Sequence, residues 1–136
     1  MKRKQKREPK PKKVKEFNRT SWLISQLRRI FLKYPPVFQK VNALKQTYYI
    51  TSKKGLQLKR VKWNCQICDK EISNKEMRRD HVHPVVDPVE GFKDIGTFID
   101  RLFCDPDNIQ VICKTCHDSK SEEERKIRKL SKRGNN

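Results

Sequence analysis

Cys65-Gln66-Ile67-Cys68 and Cys113-Lys114-Thr115-Cys116-His117 are the stretches on which the reading of this 136-residue chain turns. Two residues between thiolates let both sulfurs face one ion from a tight turn. Two such turns close a tetrahedron of four thiolates, an arrangement favoured by structural Zn2+. The pairs are separated by 44 residues, a longer insert than a small zinc ribbon carries. A single C-x-x-C also serves redox chemistry, but two of them in a basic chain favour zinc held by Cys65, Cys68, Cys113 and Cys116. A closed four-thiolate shell leaves no open position for water, so this ion is read as structural rather than catalytic. The fifth cysteine, Cys104, has no partner at that spacing and reads as a small buried hydrophobe.

Composition sets the surroundings of this staple. Lys and Arg number 34 against 16 Asp and Glu, a formal charge of +18, and only 34% of residues are hydrophobic. One domain with a small core is expected, of the kind that needs a metal or disulfide staple. No run approaches the ~18 apolar residues of a membrane span. The basic N-terminus is not followed by the apolar stretch of a secretory signal, so a reducing, cytoplasmic setting is expected.

The charge is segregated. Residues 1–16 carry a net +7 and read as a disordered basic arm, and residues 17–84 carry +11. Residues 85–110 reverse to −4, and the tail from Lys120 returns to +4. Blocks of positive charge this dense make a polyanion the natural partner, bound through phosphates without sequence preference.

Local patterning gives a mixed chain. Leu23, Leu27, Ile30, Phe31 and Tyr34 recur at helical spacing, so a helix is expected over 21–33, capped by Thr20 or Ser21 and ended by Pro35-Pro36. A second is expected from Val37 to Gln46, and strands within residues 47–64 around a turn at Lys53-Lys54-Gly55. A short helix is expected over 94–103, and an exposed one in the tail, where Glu122-Glu123-Glu124 precede Arg125, Lys126 and Arg128.

Between and just after the cysteine pairs lie Asp80-His81-Val82-His83-Pro84, Asp107-Asn108-Ile109-Gln110-Val111 and His117-Asp118-Ser119-Lys120. In order, spacing and bracketing cysteines these pieces resemble the HNH endonucleases over about residues 63–120, and most of all the small zinc-clamped forms of tailed bacteriophages. The resemblance implies an α+β fold: a ββα-metal module stapled by the four-cysteine zinc site, preceded by a helical region. The segments are then the arm at 1–16, a helical and β extension at 17–60, the nuclease domain at 61–120 and a basic helical tail at 121–136. It implies that His81 is the general base activating water, and that Asp80 and His117 hold one Mg2+ or Mn2+. Asn108 would pin the loop that carries His81. Lys120 would contact phosphate. His83, two residues on, is kept as an alternative to His81 or a second phosphate contact. A third protein ligand, which some members supply after the final His, has no counterpart in Asp118-Ser119-Lys120, so a two-ligand site with a weakly held ion is expected.

The function expected from this resemblance is metal-dependent hydrolysis of double-stranded DNA, in phage genome processing or packaging beside a terminase. The alternative is a non-catalytic zinc-stapled DNA-binding accessory protein. It shares the cysteines and the basic charge but has no use for Asp80, His81 and His117 in that order. A colicin-like toxin would be expected to carry receptor and translocation regions, for which the chain has no room.

Overall fold

The first helix begins where Asn18 captures a backbone amide. In the computed structural model, which describes residues 16–134, the Asn18 Oδ1 accepts from the Ser21 N–H at 2.9 Å. That bond satisfies one of the amides left over in a helix's first turn. Helix α1 therefore runs Arg19–Phe31, two residues ahead of the expected span, with Asn18 as the cap in place of Thr20 or Ser21. The basic arm read over 1–16 lies, apart from Glu16, outside the described residues.

Pro35-Pro36, expected to end α1, instead opens α2, Pro35–Ala43. A proline ring holds φ near the helical value, and its missing N–H falls where no intrahelical acceptor exists. α2 stops short of Gln46 because that residue already pairs with Lys62 in the first sheet.

Strands β1 (Gln46–Thr51) and β2 (Gln57–Asn64) form an antiparallel ribbon in which Tyr48 faces Arg60 and Tyr49 faces Lys59. The turn joining them is closed by the Gly55 N–H on the Ser52 carbonyl and the Leu56 N–H on the Ser52 Oγ. Gly55 takes φ +77° there, a left-handed value that costs glycine little. Strand β3 (Glu71–Ile72) adds only at the ribbon's base, opposite Trp63 and Asn64. A second antiparallel pair joins β4 (Met77–His81) to β5 (Ile109–Cys113). Between these two strands lies α3 (Ile95–Leu102), which matches the sequence expectation and is capped by the Asp94 Oδ1 on the Thr97 N–H at 2.8 Å. The last helix, α4 (Lys114–Gly134), starts in the residue after β5. The tail helix legible in the sequence is thus the distal part of a longer one.

The fold is mixed α+β, with four helices and small antiparallel sheets among the described residues. α1 packs on α3, α2 on β5, and α4 on both β4 and β5. One core results: Phe31, Val37 and Val41 from the N-terminal helices lie buried with Trp63, Ile72, Phe98, Leu102, Ile109, Val111 and Ile112. Trp63 fastens the ribbon to α2, its buried Nε1–H donating to the Val41 carbonyl at 2.8 Å. No helix among the described residues is long and apolar enough to cross a membrane.

Replacing Trp63 with Phe should leave the Val41 carbonyl buried without its donor and lower stability by about 1–3 kcal/mol. Urea denaturation would show this as a lower midpoint at unchanged slope.

Candidate functional site

Two sites share the β4–β5–α4 unit. The first is the thiol cluster. The turn after β2 presents Cys65 and Cys68, with Asp69 at φ +58° bending the chain back. The Cys65 carbonyl accepts from the Asp69 N–H at 2.8 Å and the Cys65 N–H reaches the Lys70 carbonyl at 2.8 Å. The turn is tied to β5 twice, by the Gln66 N–H on the Val111 carbonyl and by the Gln66 Oε1 accepting from the Val111 N–H. The end of β5 supplies Cys113 and the first turn of α4 supplies Cys116.

The four Sγ atoms lie within 4.8 Å of one another, with Cys68 and Cys113 at 3.9 Å. Metal–sulfur bonds of ~2.3 Å in a tetrahedron set sulfurs ~3.8 Å apart. The cluster is therefore placed to hold a metal ion such as zinc. Backbone amides already favour ionised sulfur: Cys113 N–H points at the Cys65 Sγ and Cys116 N–H at the Cys113 Sγ, each at 3.3 Å. Burial pushes the Cys65 thiol up, but the surrounding N–H groups outweigh it and hold its pKa at about 6. Cys116 is pushed to about 12, first by its hydrogen bond with Cys113, then by burial and the other two sulfurs. Four thiols this close cannot all ionise without a cation among them.

The second site is a cleft of about 460 Å3 floored by β4 and walled by α1, α3 and α4. Asp80, His81, His117 and Lys120 all line it. His81 closes β4 and is nearly buried, its ring stacked on Phe31 with centroids 4.6 Å apart. Its Nε2 lies 2.9 Å from the Leu102 carbonyl. A carbonyl only accepts, so this contact puts the proton on Nε2 and leaves Nδ1 as a base. Burial lowers the His81 pKa below the ordinary imidazole value, with the Leu102 carbonyl and Asp80 opposing and Lys120 and Arg28 assisting.

Asn108 lies outside the cleft lining and grips the chain beyond His81 from behind. Its carbonyl accepts from the Val82 N–H at 2.8 Å, and its Oδ1 from the His83 N–H at 2.9 Å. Those bonds hold the loop on which His81 depends. His83 does not share a strand face with His81, because β4 ends at His81, and it does not line the cleft.

Asp80 Oδ2 accepts from Gln110 Nε2 at 2.9 Å and from the Lys120 ammonium at 2.6 Å. Asp80 Oδ1 takes no hydrogen bond from the described residues. Lys120 also touches the His81 carbonyl and lies 3.7 Å from Glu124. Its ammonium is thus committed to the anion of the cleft itself. His117 is half-exposed, with Nδ1 3.5 Å from Asp118 Oδ1. Asp80 and His117 open on one cleft, but the four cysteines are the one cluster of three or more ligands drawn together among the described residues.

The cleft also contains Arg28, Glu124, Arg125 and Arg128, none of which the motifs single out. A signal for three of them existed: His117, Ser121, Glu124 and Arg128 fall at i, i+4, i+7 and i+11, and Arg125 lies one place on from Glu124. That is a single face once α4 is seen to start before His117. Arg28 had no such signal, because only the packing of α1 on α3 delivers it. No family model, curated protein or solved structure matches this chain.

Replacing Cys65 with Ser should abolish stoichiometric zinc uptake and unfold the chain, since structural zinc contributes on the order of 10 kcal/mol in small domains. Metal analysis with circular dichroism checks this; a folded, zinc-loaded variant would remove the cluster's structural role.

Proposed function

We propose that this chain is a metal-dependent endonuclease of the HNH type that hydrolyses DNA phosphodiester bonds, with zinc in the four-cysteine site as its structural staple. The observation that carries the reading is the setting of His81. Its Nε2 is committed to the Leu102 carbonyl and its ring is held against Phe31, so Nδ1 is the basic nitrogen in a cleft lined by three guanidinium groups. An imidazole so fixed is suited to take a proton from water as the oxygen attacks phosphorus. The P–O3′ bond then breaks and the departing oxygen takes a proton from solvent water, leaving a 5′-phosphate and a 3′-hydroxyl. Arg28, Arg125 and Arg128 bring positive charge to the cleft for the phosphate oxygens, Arg125 while also pairing with Glu122 at 2.9 Å.

The donor set fits a hard divalent cation such as Mg2+ or Mn2+: Asp80 keeps Oδ1 free of the protein's hydrogen bonds, and His117 adds a neutral nitrogen. Bound there, the cation supplies charge stabilisation to the phosphoryl oxygens and the leaving oxygen. A cation held there would compete with Lys120 for Asp80, and Glu124, one helical turn further on, would give the displaced ammonium a second anion. Asn108 acts as a positioning residue through its two bonds to the loop after His81.

Nicking of supercoiled plasmid with Mg2+, Mn2+ or no added divalent metal tests the reading. His81→Ala should lose at least ~100-fold in rate, the usual contribution of a general base, with zinc content and DNA binding unchanged. Asn108→Ala should lose roughly 10- to 100-fold, as expected for ~1–3 kcal/mol of lost positioning. Asn108→Asp, which keeps an acceptor for the His83 N–H, should retain more activity than Asn108→Ala. Folded, zinc-loaded protein that binds plasmid and never cuts would favour the non-catalytic DNA-binding alternative.

A further inference from the structure

The cleft leaves the β1–β2 ribbon without a role, although one of its two strands is exposed along its whole length. Every residue of β1 is exposed, and β1 pairs with β2 alone. Tyr49 is 65% exposed and Leu56, at the tip, 61%. From Lys45 to Lys62 the sequence holds six cations and no carboxylate. Lys62 is already spent on Glu71 at 2.5 Å, and Lys45 reaches the Asn42 Oδ1 at 3.3 Å. The remaining four, Lys53, Lys54, Lys59 and Arg60, pair with no carboxylate among the described residues. Lys53 and Lys54 sit in the turn. Lys59 lies beside Tyr49 on one face, and Arg60 beside Tyr48 on the other.

We infer that this ribbon is a second nucleic-acid contact, separate from the cleft, which lays its tip and flanking cations into the major groove of duplex DNA. Six residue pairs make a ribbon ~20 Å long. The major groove of B-form DNA, ~12 Å wide, admits a two-stranded ribbon of this kind. Cations at the tip and on both faces meet the phosphates lining the groove, while Tyr49 and Leu56 present apolar surface to base edges and thymine methyls. The ribbon is firmly mounted for this: Trp63 anchors its base to α2, and Cys65 follows β2 directly. The inference takes its partner from the proposed function, but its test reads binding rather than cutting.

The test uses the full chain in a His81→Ala background, loaded with zinc, on a labelled random-sequence DNA duplex across a salt series. Substitution of Lys53, Lys54, Lys59 and Arg60 together by Gln should weaken binding at least tenfold near 0.1 M salt. The slope of log affinity against log salt should become shallower by about 3.6, at ~0.9 for each of the four lost phosphate contacts. A photo-crosslinking phenylalanine analogue at position 49 should attach to the duplex on irradiation. An unchanged slope together with no crosslink overturns the inference, and so does crosslinking that single-stranded RNA competes away better than duplex DNA. If the protein with His81 intact never cuts but the fourfold variant still loses its salt slope, the nuclease reading fails and the ribbon stands. If that protein cuts and the fourfold variant keeps its slope, the ribbon fails and the nuclease reading stands.

Discussion

The packing of four sulfurs within 4.8 Å is the constraint on which the rest of the molecule rests. It joins two segments separated by 44 residues: the turn after β2, and the junction at which β5 ends and α4 begins. Each is short, and the apolar core beside them is shared between helices and strands that could not hold one another alone. A chain with 34% hydrophobic residues has little other means of fixing the angle between a ribbon, a hairpin and a long helix. Backbone N–H groups outweigh burial at Cys65, while the hydrogen bond with Cys113, burial and the other sulfurs raise Cys116, so a cation is the natural completion of the cluster.

Much of this was legible because the relevant signals were local. C-x-x-C spacing located the cluster, and the apolar period over 94–103 located α3. Asn108 stood out by its place in a motif, and the structure gives it two bonds to the chain after His81, at Val82 and His83. The misplaced boundaries have physical causes. Pro35-Pro36 satisfies both the end of one helix and the beginning of another, and only the short connection between α1 and α2 decides which. The continuity of α4 was hidden because Cys113-Lys114-Thr115-Cys116 reads as a metal-binding turn when only Cys113 is strand and the other three are already helix.

The immediate surroundings of His81 were not legible at all. Phe31 reads as an ordinary core position of an amphipathic helix, and a backbone carbonyl such as that of Leu102 leaves no mark in a sequence. Both come from elements distant along the chain, and so does Arg28. Two of the six carboxylates in the acidic interval over 85–110 have a structural role. Asp87 accepts from the Val89 and Glu90 N–H groups, and Asp94 caps α3. The cleft's own anions, Asp80 and Glu124, are few in number and both lie close to Lys120.

Helix α4 starts without a linker at the end of β5, and this joins the thiol cluster and the cleft mechanically. Cys116 and His117 are consecutive residues on one rigid rod, so their side chains diverge by ~100° about its axis. One turns to the sulfurs and the other to the cleft. The helix behaves as a shaft with its phase locked at one end: whatever fixes Cys116 also fixes the azimuth of His117, Lys120, Glu124 and Arg128. Inserting one residue between Cys116 and His117 would leave the cluster whole and swing that whole row away from Asp80. Chain length at this junction is therefore quantised, and the spacing here tolerates drift far less than the loops on either side of α3.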